Sequence, residues 1–246
     1  QKKRIPVAIW IQTVITFAAF VILFMAPGND VRVASEIATW MPGYKELSVG
    51  NHLFMTIQWM LSSFANEGKA FFIAIWAAGF LLLVKSKKAK VYQSLAVVFS
   101  VVALLPYAGI SFFSEMGIGY IDIEQCLTEL PTWQTMTTQN RIAFFWWIAA
   151  VLFTLVLLWK VTGHSVFISM VFLGGIASEA VLYFSPTIYA SGARVYYLTD
   201  LMYLFIILWM VMRMDSEKKK NLFIAGTAAL GVINFLSQYS IMLLKL

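Results

Sequence analysis

Apolar residues run along this chain in blocks of about 17–24, each long enough to cross the hydrocarbon core of a bilayer. Short polar or charged stretches separate them. A helix in lipid satisfies its own backbone hydrogen bonds, so each block predicts a helix. The pattern predicts about seven spans, at 5–25, 69–84, 91–113, 142–160, 165–185, 195–213 and 221–244. The expected fold is all-α: one polytopic transmembrane helix bundle over residues 1–246, with no soluble domain. Residues 47–84 are less regular, because 66-NEGK-69 splits two apolar stretches. One crossing at 69–84 leaves 52–64 as an amphipathic helix on the outer surface, or a re-entrant one; Thr56, Ser63 and Asn66 would mark its wet side.

Charge orients the spans. One set of connections holds Lys2, Lys3, Arg4, Lys85, Lys87, Lys88, Lys90, Lys160, Arg213, Lys218, Lys219 and Lys220 against only Asp215 and Glu217. The alternate set holds eight acids, Asp30, Glu36, Glu46, Glu67, Glu115, Asp122, Glu124 and Glu129, against five basic residues. Basic connections stay in the cytoplasm. The bias therefore places QKKR, KSKKAK and DSEKKK inside and the acidic loops outside. The +6 net charge is explained by this sorting and does not mark a nucleic-acid surface.

Composition agrees: 61% hydrophobic, 16% aromatic and 12% charged, about half the charge of a soluble domain. Cys126 is a single cysteine, which excludes an internal disulfide. Neither QKKR nor IMLLKL reads as a natural terminus, so the expectation is a fragment of a longer membrane protein whose N-terminal part is missing.

Candidate chemistry clusters at the outer ends of spans. Arg194 follows the turn 185-SPTIYASG-192 and opens the next span. A cation there opposes the helix dipole, so dipole electrostatics do not select it. Free backbone N–H groups plus a planar guanidinium do make an anion site suited to phosphate. Ser185, Thr187 and Ser191 could add hydroxyl donors. The bland alternative is an arginine resting among lipid headgroups. In 24-FMAPGNDVR-32, Pro27-Gly28-Asn29 is strong turn chemistry. It delivers Asn29, Asp30 and Arg32 to the same surface, where Arg32 either joins Arg194 on one phosphate or pairs with Asp30 or Glu36.

Two acids fall within spans. Glu179 shares a helix face with Gly175, Tyr183 and Pro186, and Asp200 lies at similar depth on the next helix. Intramembrane acids usually face a bundle interior or a wet cavity. The small residues Gly174, Gly175 and Ser178 permit close helix packing there. Glu179 therefore either lines a substrate cavity or bonds Tyr196 or Tyr197 in a plain helix contact. No metal is expected. A divalent cation would have to use the acidic loop 114–134, where Asp122 and Glu124 alternate with isoleucines in no ligand spacing. His52 and His164 stand apart, and Arg141 reads as an anchor beside Trp146 and Trp147.

The motifs APGNDVR and GGIASEAVLYFSPTIYASGAR resemble those of an uncharacterised bacterial polytopic membrane family, which is similar in turn to GT-C type glycosyltransferases, including O-antigen glucosyltransferases. The resemblance falls on Ala26, Pro27, Gly28, Asn29 and Arg32, then Gly174, Gly175, Ser178, Ser185, Pro186 and Arg194. It implies a bacterial plasma-membrane enzyme that moves sugar from a polyprenyl-phosphate donor to an extracytoplasmic acceptor. Its partners would be the lipid-linked sugar donor, membrane lipids and the missing N-terminal part. The family's usual catalytic acid would precede residue 1, so Glu179 and Asp30 do not inherit that role. Two alternatives stand beside it: a transporter or flippase of a lipid-linked or anionic substrate, and a membrane polysaccharide polymerase. A scaffold with no activity is the plainest reading.

Overall fold

The computed structural model describes residues 29–86, 89–105, 132–163, 166–188 and 195–244, with scattered positions between 11 and 25. Among the described residues every regular element is helical. In chain order these are α1 (Asn29–Trp40), a 3-10 turn (Pro42–Glu46), α2 (Val49–Asn66), α3 (Lys69–Leu83), α4 (Lys90–Leu104), α5 (Thr138–Val161), α6 (Val166–Ala180), a second 3-10 turn (Val181–Phe184), α7 (Tyr197–Met212) and α8 (Glu217–Leu244).

Local chemistry sets the ends. The Ser48 hydroxyl caps α2 by accepting from the Asn51 N–H at 3.2 Å. Thr137 caps α5 in the same way through the Asn140 N–H, also at 3.2 Å. Both caps satisfy a donor that has no partner inside its helix. α5 ends at Gly163, whose φ of 64° is the left-handed conformation that glycine takes without steric cost.

α3 is the axis of the bundle. It packs on α2, α4, α5, α7 and α8, and Phe72, Ile75, Trp76 and Ala78 are fully buried. The Phe72 ring lies 5.2–6.2 Å, centroid to centroid, from Phe64, Trp76, Trp147, Phe172 and Tyr203. The Trp76 indole N–H donates to the Thr154 hydroxyl of α5 at 2.8 Å, so that interior polar pair is satisfied. The outward faces are apolar. On α5, Phe145, Leu152, Val156 and Trp159 form an exposed stripe, while Thr154 on the other face is buried. Apolar outside and selectively polar inside is the arrangement a lipid solvent favours.

Among the described residues two helices are long and apolar enough to cross a membrane, 138–161 and 166–184, or three if the bent pair α2–α3 is one span. α4 and α7 are apolar but shorter. The first predicted span lies mostly outside the described residues, as does the acidic loop 114–131.

Residues 47–84 differ from the surface-helix expectation. Every residue from Gln58 to Ala65 is buried, just over two helical turns, so the C-terminal half of α2 is covered on all sides, while Val49 and Leu53 near its start are exposed. A half-buried interfacial helix would leave one face free. The chain bends by 70° between α2 and α3. Glu67 and Gly68 both direct their N–H groups to the Ser63 carbonyl, closing α2, and Gly68 then accepts from Phe71 to start α3. A broken span or re-entrant segment describes this element.

Among the described residues, connections that the charges grouped together do meet. At one end Asp215 accepts from Lys85 at 2.6 Å and pairs with Lys219 at 2.9 Å. At the other, Phe54 meets Trp133, and the Tyr44 hydroxyl donates to the Tyr183 carbonyl. Hydrogen bonds from Lys85 and then Lys219 hold the Asp215 carboxyl far below its usual range. A depressed folded pKa means that the stabilisation is complete above the unfolded value, about 3.9, and fades as pH falls below it. Asp215→Asn should lower the melting temperature slightly at neutral pH, and less in high salt. An unchanged melting curve at low salt would show that the corner carries no stability.

Candidate functional site

Two regions hold candidate chemistry. The first joins the segment that follows APGNDVR to the 3-10 turn inside the second motif. The 3-10 turn after α1 brings Tyr44 against the 3-10 turn after α6, with the Tyr44 Oη 3.3 Å from the Tyr183 carbonyl oxygen. Burial, then Tyr183, pushes the Tyr44 phenol up from its ordinary value, so it remains a donor at neutral pH. The His52 ring contacts the Tyr44 carbonyl at 3.0 Å and stands edge-on to Tyr183. Met41, Leu47, Met55, Thr56, Ser185 and Ile188 complete the joint. The gap between them is about 10 Å3, room for about one water. It binds the segments together and leaves no space for a sugar.

Around that joint, Arg32 lies on exposed α1, 76% accessible, with its Nε 2.8 Å from Glu36 Oε1. Of the partners open to Arg32, the acid one turn on is the one it meets. Asn29 begins α1, and its side chain lies outside the described residues. Ser185 shapes its own turn: its hydroxyl is 2.8 Å from that of Thr187 and accepts the Thr187 N–H at 3.3 Å. Arg194 and Ser191 lie outside the described residues. Arg141 donates to the Trp133 carbonyl at 3.0 Å and lies 5.0 Å from the Trp133 ring centroid, so its aromatic partner is Trp133.

The second region is interior and centres on Glu179, 1% exposed. α6 supplies Glu179, Ser178 and the Gly175 carbonyl. α7 supplies Thr199, Asp200 and Tyr203, and α2 supplies Ser63. The Ser63 hydroxyl donates to Glu179 Oε2 at 2.7 Å, and Thr199 touches the same carboxyl. The tyrosines expected to bond Glu179, Tyr196 and Tyr197, are not its partners; Tyr196 packs instead on Trp59. Asp200 is half-buried and close enough for the two carboxyls to feel each other's charge. No basic side chain pairs with Glu179 among the described residues.

Glycine makes this packing close. A Cβ on Gly175 would lie 3.1 Å from Tyr203 Cε1 and 3.5 Å from Thr199 Cγ2. Small residues at a helix contact let backbones approach, as the pattern 174-GGIAS-178 implied. Ser63, Thr199 and Tyr203 were not legible as its neighbours. Serine and threonine are common in any buried helix, and only their distance from Glu179 distinguishes these two.

A third feature is an apolar groove of about 510 Å3 between α4 and α8, floored by α3. Phe80, Val97, Leu104, Leu222, Leu230 and Ile233 line it. Among the described residues no group of three or more His, Cys, Asp or Glu could hold a metal ion. No family model matches the chain, and neither a curated protein nor a solved structure matches it.

Proposed function

We propose that this chain belongs to a membrane glycosyltransferase-like protein that takes sugar from a polyprenyl-phosphate donor and passes it to an acceptor outside the cytoplasm. In this reading about seven spans cross a bacterial plasma membrane, with the basic end of the bundle in the cytoplasm. The observation that carries it is the joint at Tyr44 and Tyr183, which unites segments 139 residues apart in sequence, one following APGNDVR and one leading to Arg194. Arg32 leaves Glu36 to grip the donor phosphate together with Arg194, and the surface pair it gives up is worth under about 1 kcal/mol. The apolar groove between α4 and α8 suits an isoprenoid chain.

A second reading has its own observation. The 70° break between α2 and α3 lies beside a buried carboxyl, as in transporters built from discontinuous helices. There the substrate is a lipid-linked or anionic molecule moved across the bilayer.

Binding of a fluorescent polyprenyl phosphate to the protein in nanodiscs tests the first reading. Arg32→Ala and Arg194→Ala should each weaken binding by about tenfold, the loss of one charged hydrogen bond. Unchanged affinity in both variants rejects the clamp. Movement of the same probe across proteoliposomes, with no sugar transferred, favours transport.

A further inference from the structure

Hydrogen bonding at Ser63 does not balance if the Glu179 carboxyl is always ionised. The Ser63 hydroxyl lies 2.8 Å from the Met60 carbonyl oxygen and 2.7 Å from Glu179 Oε2. It has one proton for two acceptors. The hydroxyls of Ser178 and Thr199 lie 2.7 and 3.0 Å from the Gly175 carbonyl oxygen and 2.9 Å from each other. Those are three contacts for two protons. With the contact of Thr199 to the Glu179 carboxyl, six close oxygen contacts share three hydroxyl protons. The Met60 carbonyl cannot donate, so a proton on the carboxyl supplies one of the missing donors, the one at Ser63. With a proton on Glu179 Oε2, Glu179 donates to Ser63 and Ser63 donates to Met60.

A second observation points into the same site. The Tyr203 hydroxyl is buried and has no hydrogen-bond partner. Its ring packs on α6 at Gly175, one turn before Glu179, and the hydroxyl interacts electrostatically with both Glu179 and Asp200. An unsatisfied buried donor is costly, and a carboxyl that changes its charge nearby would change that cost.

The surroundings also provide a way out. Asp200 is near enough to both Glu179 and Glu67 to feel their charges. Glu67 is exposed, at the bend between α2 and α3, with Lys69 beside it. Three carboxyls thus step from the bundle interior to the surface. α5 offers no titratable side chain between Arg141 and Lys160, and α2 offers only His52, eleven residues from Ser63.

We propose that Glu179 is an exchangeable proton-binding site inside the bundle, reached from outside along Glu67 and Asp200. Taking up the proton forms an O–H bond on Glu179 Oε2 and neutralises the one carboxylate held by Ser63. Releasing it returns the proton through Asp200 and leaves Glu179 as an acceptor from Ser63. Because Ser63 lies in the last turn of α2, each exchange reverses the hydrogen bond that ties this helix to α6. The site stands whether the protein transfers sugar or moves a solute.

Infrared difference spectroscopy on the chain in nanodiscs, stepped through pH, tests this. A carbonyl stretch of a protonated carboxylic acid should appear as pH falls and vanish as it rises. Glu179→Gln should remove that band, and Asp200→Asn should slow its hydrogen–deuterium exchange severalfold. Wild type and Glu179→Gln with the same carboxylic-acid bands at every pH would overturn the site. So would a Glu179 band that neither titrates nor exchanges. If Glu179→Gln does not fold, Ser63→Ala decides: loss of its hydrogen bond should shift the band, and an unmoved band overturns the proposal.

Discussion

Phe72→Ala is expected to destabilise the bundle by about 3–5 kcal/mol, the range for deleting a large aromatic ring from a packed core. Phe72 is fully buried, and its ring meets five other aromatic rings from α2, α3, α5, α6 and α7. Each well-placed aromatic pair adds about 0.5–1.5 kcal/mol beyond the area it buries. In lipid the apolar transfer term is weak, but packing between helices is what holds the bundle, and this substitution removes packing from several interfaces at once. Equilibrium unfolding in mixed detergent micelles reads the change. Phe72→Leu should recover part of it. A loss within about 0.5 kcal/mol, typical of a surface site, would contradict the cluster.

The second large effect is opposite in kind. Gly79→Ala adds one carbon, and it should destabilise by about 1–3 kcal/mol through overpacking. The new Cβ would lie 2.7 Å from Leu157 Cδ2, 3.0 Å from its Cγ and 3.1 Å from its Cδ1. Leu157 is itself fully buried, so the whole side chain must move rather than one methyl. Alanine gains about 1 kcal/mol of helix propensity over glycine, which offsets only part of the clash. Gly174→Ala is the internal control. Its Cβ would meet Met202 Sδ at 3.5 Å and Cε at 3.6 Å, ordinary contact, so stability should hold or rise. Leu157→Val should relieve Gly79→Ala, with a coupling of at least about 0.5 kcal/mol. Equal melting temperatures for Gly79→Ala and Gly174→Ala would refute the close α3–α5 approach.

Much of the architecture was written in the apolar blocks, because a helix in lipid needs little beyond length and hydropathy. The bounds of α5 agree with the block at 142–160 to within a few residues, and Thr137 supplied its own start signal. Charge correctly brought the Lys85 turn and the Asp215 turn to one end. Residues 47–66 resisted for a physical reason. Thr56, Ser63 and Asn66 look like a wet face to hydropathy, yet Thr56 and Ser63 spend their hydroxyls on backbone carbonyls and a carboxyl inside the bundle. Pattern cannot tell a hydroxyl bonded to water from one bonded to another helix. Glu179 was legible as an interior acid, but its partners were not, since Ser63 is 116 residues away in sequence. Arg32 had two readings open, and the acid one turn on is the partner seen.

The burial of the C-terminal half of α2 on every side also constrains how the protein is built. A segment that carries Thr56, Gln58, Ser62, Ser63 and Asn66 is a poor candidate to enter lipid by itself. Gln58 is wholly buried, and neither its amide nitrogen nor its amide oxygen has a hydrogen-bond partner. The apolar helices on either side, α5 and α6, can insert as independent stretches during synthesis. α2 is made before them, so it must wait at the interface until they arrive to enclose it. Its enclosure therefore follows the synthesis of α5 and α6, and substitutions that polarise it should show as chains that are fully inserted yet incompletely closed.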